Sequence, residues 1–235
     1  MGHMIEQIAV SRGHEIVLRL DNGTHDEEVT AQLRQADVAI EFSMPAVAVD
    51  NYLWCVDNGI PVVSGTTGWL QRWDEVTGYV RDHGGAFFYA SNFSIGVNIF
   101  FHLNRSLAKA MDAFRDYQVS VEETHHIHKL DAPSGTAITL AQGVMHNRGG
   151  YRDWALQQEG DTLPADILPV TAHRIGEVPG IHAVNYRSAV DEIEIRHSAF
   201  SREGFARGAV FAAEFLCGRT GIYGMDDLLS DKLSF

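Results

Sequence analysis

Short, almost continuously apolar runs alternate with helical segments through the first part of the chain, and this alternation restricts the fold more than any other feature. The runs are Glu15–Leu20 (EIVLRL), Asp37–Ser43 (DVAIEFS), Pro61–Ser64 (PVVS) and Ala86–Ser91 (AFFYAS). Thr30–Gln35, Ala46–Asn58 and Leu70–Asp82 read as the helices between them. Strands apolar on both faces are buried on both faces, and strand–helix repeats of this length build a parallel sheet covered by helices. Ligands of such sheets bind where the strands end in loops. Here the loops are Ser43-Met44-Pro45, Ser64-Gly65-Thr66-Thr67-Gly68 and Ser91-Asn92-Phe93-Ser94, all small, polar and able to present backbone N–H groups.

From about Asn92 the pattern changes. Ile95–Phe114 repeats its apolar residues at a helical period. Asp116–His126 alternates as a strand with one buried face, Tyr117, Val119 and Val121 on one side and Gln118, Ser120 and Glu122 on the other. Glu192–His197 alternates in the same way, with Ile193 and Ile195 opposite Glu194 and Arg196. Asn147–Pro179 between them, rich in Gly, Pro and charge, reads as a long excursion, and Gly208–Leu216 as the last strong helix. The expected fold class is therefore α/β, followed by an α+β unit on one-sided strands.

Lys and Arg number 18 against 31 Asp and Glu, a net charge of −13. That surface argues against a nucleic-acid or anionic-membrane partner, which needs a basic footprint. No apolar run approaches the ~18 residues of a membrane span. Cys55 and Cys217 offer no disulfide framework, read as plain core residues, and suit a cytoplasmic location.

Chemistry concentrates in Glu122–Ala137, E-E-T-H-H-I-H-K-L-D-A-P-S-G-T-A, with three of the chain's 12 histidines close to Lys129. Pro133 suits a helix entry, and Ser134, Gly135 and Thr136 suit its first turn. A helix start with free N–H groups, two hydroxyls and an adjacent cation is a site for a carboxylate or phosphate. A histidine beside it can move a proton near neutral pH. A lone Asp131–Gly135 segment would be read as a loop and helix cap; the clustering with lysine and histidines is what points to function. His126 and His128, expected on one strand face, could ligate a metal, yet no cysteine lies nearby and no third ligand is evident, so no metal site is expected. Gly65-Thr66-Thr67-Gly68 alone is more often a turn than a nucleotide loop.

His125-His126-Ile127-His128-Lys129-Leu130-Asp131-Ala132-Pro133-Ser134-Gly135-Thr136-Ala137 resembles the signature of the bacterial 4-hydroxy-tetrahydrodipicolinate reductase family, also called dihydrodipicolinate reductase. Gly65–Trp69, Ala90–Val97, Phe205–Ala209 and Gly224–Leu229 resemble further family segments in the same order, so the likeness runs through almost the whole chain. The resemblance implies reduction of a cyclic, unsaturated dicarboxylate by NADH or NADPH in the diaminopimelate–lysine pathway. It implies a Rossmann-like dinucleotide-binding domain at 1–92 and 205–235, a substrate-binding and tetramerisation domain at 93–204, and a homotetramer. By position, His125 would be the general acid, Lys129 would bind substrate and stabilise developing charge, and His126, Ser134, Gly135 and Thr136 would hold a carboxylate. Gly65, Thr66, Thr67, Ser91, Asn92, Phe93 and Arg207 would bind the cofactor.

The sequence departs from the family at its start. The family opens with a strand and a G-x-x-G-x-x-G loop, whereas Ile5–Val10 here reads as the helix after that loop. Gly2 stands where the loop's last glycine would; Met1-Gly2-His3-Met4 reads equally as a vector-derived remnant. The first strand, central in a doubly wound sheet, is thus expected to be absent, at a cost in ladder bonds and core cover. Asp21 lies about 20 positions after Gly2, the spacing of an acid that binds a ribose hydroxyl and favours NADH; its plainer reading is a turn residue in Asp-Asn-Gly. Alternatives to an active reductase are a family member that folds but binds cofactor poorly, another α/β oxidoreductase, and a non-catalytic binding protein.

Overall fold

In the computed structural model, which describes residues 1–21, 25–158 and 160–232, the chain opens in helix α1 (Gly2–Ser11). Helix α2 (Glu27–Leu33) starts earlier than its apolar pattern suggests. Asp26 caps it by accepting the Val29 N–H at 2.9 Å, and Glu27 and Glu28 favour the positive end of the helix dipole. Strand β1 (Ala39–Glu41) leads to α3 (Pro45–Asp57), which has proline in its first turn, where no N–H is needed. Gly59, at φ +71°, ends that helix in a conformation that suits glycine. Then come β2 (Val62–Ser64), a 3₁₀ turn (Leu70–Arg72), α4 (Trp73–Asp82) and β3 (Ala86–Tyr89).

Helix α5 (Ile95–Ala110), β4 (Gln118–His125), α6 (Gly135–Asn147), β5 (Asp153–Leu156), β6 (Ile167–Arg174), β7 (Gly180–Arg187) and β8 (Glu192–Ala199) follow. The chain closes with α7 (Glu203–Leu216), β9 (Gly221–Tyr223) and α8 (Met225–Lys232). Two units result, Met1–Ile95 with Glu203–Phe235, and Gly96–Arg202.

The first unit is a parallel sheet in the order β1-β2-β3-β9, with Ala39 opposite Val62, Val62 opposite Phe87 and Phe87 opposite Ile222. Its core joins Val49, Tyr52, Val62, Trp69, Val76 and Phe87, all almost fully buried. Burial of a side chain of this kind contributes about 1.5–3 kcal/mol relative to exposure. Glu15–Leu20, expected as a strand, carries no ladder. A strand exists only beside a neighbour, and the sheet ends at β1 with no described strand between the two. Asp21 therefore follows a half-buried segment without a ladder rather than a strand end, and the rest of its turn, residues 22–24, lies outside the described residues.

The second unit is a mixed sheet, β5-β6-β4-β7-β8, with β4 parallel to β6 and antiparallel to β7. Val119 and Val121 pack with Leu140, Val144, Leu168, Val184 and Tyr186, so α6 covers this face. The supposed excursion Asn147–Pro179 contains β5 and β6. Pro164 and Pro169 mask the alternation of Leu168 and Val170, although Pro169 itself sits within β6. Strand β4 stops at His125, so His126 and His128 lie in the following turn, closed by Lys129 N–H to His126 C=O at 3.2 Å, and not on a strand face. Cys55 is buried as expected; Cys217, one residue past α7, is exposed and is not a core residue. Among the described residues no helix is long and apolar enough to cross a membrane.

Candidate active site

In the second unit the alternation of β4 carries two polar side chains onto the buried face in phase with Val119 and Val121: Glu123 and His125. Glu123 is 1% exposed. Its Oε1 accepts from Arg174 Nη2 at 3.1 Å and its Oε2 from the Ser134 N–H at 3.0 Å. His125 Nδ1 and His182 Nε2 approach the same Oε2 at 3.5 and 3.6 Å. Burial by itself would raise the Glu123 carboxyl; the contacts from His182 and Ser134, together with the charge on His125, outweigh it and hold the group at about 2. Burial also pushes His125 down to about 4, against the pull of Glu123 and with repulsion from His182, Lys129 and Arg174. The site thus holds an ionised carboxylate and a neutral imidazole at neutral pH.

Ser134 caps α6, its Oγ accepting from Ala137 N–H at 3.2 Å and meeting His182 Nε2 at 3.1 Å. Among the described residues nothing takes the N–H of Gly135 or Thr136, which are first-turn donors without helical partners. A Cβ at Gly135 would meet nothing within 4 Å. The fold therefore leaves both room and donors for an anion at this helix start.

Lys129 Nζ holds both oxygens of Asp131 at 2.8 Å, an arrangement that a bound carboxylate would have to exchange. Arg174 ties this turn to the site by donating to the Asp131 carbonyl at 2.7 Å as well as to Glu123. His126 lies next to His128, ring centroids 5.9 Å apart, and His128 pairs with exposed Glu177 at 3.0 Å. The histidine group able to span a metal is thus not His126 with His128. It is Glu123, His125 and His182, whose ligand atoms lie within 4.8 Å of one another. A cation there would share its carboxylate with the Arg174 guanidinium and the Ser134 N–H.

Glu123, Arg174, His182 and Gly180 were not singled out from sequence. Glu123 had a signal, the continued period-two alternation of β4; the others stand on strands that composition concealed. A Cβ at Gly180 would lie 3.1 Å from His125 Nε2, so the absent side chain gives the imidazole its space.

In the first unit, the Gly65-Thr66-Thr67-Gly68 loop is locked from below by Glu41. Its Oε2 accepts from Ser64 Oγ at 3.0 Å and Thr66 Oγ1 at 2.9 Å, while Oε1 accepts from Ser43 Oγ. Thr66 is buried and its Oγ1 accepts the Ser43 N–H at 2.8 Å; Thr67 is exposed. A pocket of about 310 Å³ opens here, lined by Met1, Phe42, Ser43, Pro45, Gly65, Thr66 and Thr67. It lies at the carboxyl ends of parallel strands, where this fold holds nucleotides. Gly2 begins α1, so its N-terminal N–H groups are of the kind that take phosphate. Such a pocket fits part of a nicotinamide nucleotide.

Ser91 is exposed, and Asn92 Oδ1 accepts the Ser94 N–H at 2.9 Å. Phe93 is 2% exposed and stacks in the core near Phe42 and Phe88, so its side chain supports the loop rather than reaching a ligand. Arg207 is exposed on α7 and pairs with Glu203 at 2.7 Å.

A parallel nucleotide-type sheet, joined to a separate unit with a buried acid and imidazole beside an open helix start, is the arrangement of two-unit oxidoreductases that use a nicotinamide cofactor. Residues 1–93 match the family described as dihydrodipicolinate reductase, N-terminus, and residues 96–229 its C-terminal counterpart. The chain belongs to the dihydrodipicolinate reductase family. It is 48% identical to a 4-hydroxy-tetrahydrodipicolinate reductase of Christiangramia forsetii, over 98% of this chain and 94% of that protein. A reductase of the same name from Methanoculleus marisnigri is 38% identical over 83% of this chain and 77% of its own. In fold it is similar to a dipicolinate-bound dihydrodipicolinate reductase from Paenisporosarcina sp. TG-14, at a TM-score of 0.72 and 20% identity over 95% of both chains. An amine dehydrogenase of Mycobacterium smegmatis follows at 0.58 and 12%, covering 96% of this chain and 92% of its own.

Proposed function

We infer that the chain reduces 4-hydroxy-tetrahydrodipicolinate to tetrahydrodipicolinate with NADH or NADPH, in the diaminopimelate–lysine pathway. The observation that carries this reading is the start of α6. Two untaken N–H groups there, on Gly135 and Thr136, stand beside a buried imidazole and a lysine. A dicarboxylate needs such donors, and the net reaction consumes one hydride and one proton and releases the 4-hydroxyl as water.

When bound, the nicotinamide supplies the hydride. Gly65, Thr66 and Thr67, with Ser91, Asn92 and the backbone of Phe93, would hold it; Gly2, Asp21 and Arg207 are assigned to the rest of the nucleotide, and Asp21 favours NADH. Ser134, Gly135, Thr136 and His126 hold a substrate carboxylate, and Lys129 exchanges Asp131 for substrate. A dianion placed beside His125 raises its pKa from the low value burial gives it, so the imidazole takes up a proton on binding and returns it to the ring carbon as hydride arrives. We assign a cytoplasmic location and a homotetramer. The sheet face away from α6 is polar and carries a hollow of about 420 Å³ lined by Gln118, Ser120, Glu122, Asn185 and Arg187, suited to a partner surface.

The test follows nicotinamide absorbance with freshly generated substrate, for the native chain and Lys129→Ala. The Lys129–Asp131 pair is partly exposed, so its loss costs stability at most about 1 kcal/mol. Turnover should fall by a factor on the order of 10² or more, the usual loss for a charged group that stabilises a transition state. Unchanged turnover in the variant would remove Lys129 from the mechanism, and no nicotinamide oxidation by the native chain would remove the reductase reading.

A further inference from the structure

Glu123 carries a full charge in the interior, and helix capping explains only half of its contacts. One oxygen has Arg174; the other has the Ser134 N–H and faces His125 Nδ1 at 3.5 Å, just beyond hydrogen-bond length. His125 Nδ1 is buried with no hydrogen-bond partner among the described residues. On the far side of the ring, Nε2 faces the space a side chain at Gly180 would fill, 3.1 Å from its Cβ position. The imidazole is therefore set between a carboxylate at one nitrogen and an open backbone position at the other. This is the arrangement by which a buried acid fixes the tautomer of a histidine and steadies its cation. In ligand-free proteins such contacts are often long and tighten when substrate binds.

We propose that Glu123 is the positioning residue of this site, directing the Nδ1–H of His125 to its own Oε2, leaving Nε2 for the substrate, and holding the imidazolium that an anionic substrate calls up. The inference rests on the reading of His125 as the proton donor. The same Oε2 accepts from Ser134, the residue that begins the anion-binding helix, so one carboxylate sets both the donor and the carboxylate site. Charged and titratable groups facing His125 are Glu123 on β4, His182 on β7, Arg174 on β6 and Lys129 in the turn. Of these only Glu123 favours the protonated ring.

The experiment compares pH profiles of kcat at saturating substrate, which report the ionisation of His125 in the substrate complex, for the native protein and Glu123→Gln. It is joined by the imidazole nitrogen resonances of His125 in the native protein, assigned with His125→Asn, with and without dipicolinate. A general acid loses activity as pH rises through its pKa. Removing a carboxylate within ~4–6 Å lowers that pKa by about 1–3 units, so the alkaline limb in Glu123→Gln should move to lower pH by at least about one unit. Turnover should fall about 10–100-fold, the usual scale for the partner of an active-site histidine. The native resonances should show the Nδ1–H tautomer, doubly protonated with dipicolinate. A uniform loss of activity with an unshifted limb would make Glu123 a structural cap only and overturn the proposal. An Nε2–H tautomer in the native protein would overturn it too, and that measurement decides if Glu123→Gln fails to fold. A native protein with the Nδ1–H tautomer but no turnover would refute the reductase reading while leaving the Glu123–His125 pairing in place.

Discussion

Gly135→Ala separates a site for a ligand from a site for the fold. A Cβ at this position meets no protein atom within 4 Å, and its φ is not among the positive values, so the protein itself makes no demand for glycine. Position 135 is the first residue of α6, and alanine is better than glycine within a helix by up to about 1 kcal/mol, less at a helix end. Stability should therefore hold or rise slightly. The substrate would feel the change, because the methyl group stands beside the untaken N–H that the carboxylate is proposed to use. Losing one charge-assisted hydrogen bond costs about 1.5–3 kcal/mol, roughly a 10- to 150-fold rise in the Kd for dipicolinate and in KM. Isothermal titration with dipicolinate and a thermal melt read the two effects separately. Unchanged dipicolinate affinity in a stable Gly135→Ala protein would refute the assignment of this helix start to a carboxylate, and a fall in stability would show that the glycine serves packing after all.

Gly208→Ala should do the reverse. Its Cβ would lie 1.7 Å from the Phe93 carbonyl oxygen, a backbone atom that has no side-chain torsion to yield, so α7 and the Ser91–Ser94 loop must part. Urea unfolding should show a loss of about 3 kcal/mol or more, the upper range for overpacking; a loss under 1 kcal/mol would mean the helix and loop are not held at this distance. Acid should unfold the protein in two overlapping windows. His125, lowered from 6.5 to about 4 by burial, contributes stability that is complete above pH ~6.5 and is lost as pH falls toward 4. Glu123, lowered from 4.5 to about 2, adds a further loss between those values. Melting temperatures from pH 8 to 4 should fall from about pH 6.5 downward, and His125→Asn should flatten the first part of that fall; a parallel profile in the variant would contradict the burial of a neutral ring.

Much of the fold could be read from sequence where local pattern and tertiary role coincide. Ser134 begins a helix because its hydroxyl takes a first-turn N–H, and β2 and β3 are apolar because both faces are covered, whereas the cap at Asp26 carries no apolar signal and α2 starts before its pattern does. The pattern misleads where pairing decides. Glu15–Leu20 has strand-forming side chains but pairs with no strand among the described residues, whereas Ile167–Arg174 contains a proline and still pairs on both sides, with β5 and β4. The motif at His125–Ala137 carries the candidate site, yet Arg174 and His182 reach it from strands far along the chain, contacts that no local spacing records.

Charge accounting ties the site together. Glu123 and Arg174 neutralise each other, as do Lys129 and Asp131, and His125 is neutral, so the ligand-free site has little net charge to offer a dianion. An apolar or amide side chain at position 123 would cost less to bury than an ionised carboxylate, whose desolvation is worth several kcal/mol. Arg174 and the Ser134 N–H account for part of that cost, and on the proposed reading a second positive charge that comes and goes on His125 accounts for the rest. On the proposed reading, substrate would supply the two negative charges, Lys129 would leave Asp131 for one of them, and a proton drawn onto His125 would answer the other. That proton would be the one the proposed reaction consumes, so binding and chemistry would share a single ionisation, with Glu123 as the proposed residue that holds it.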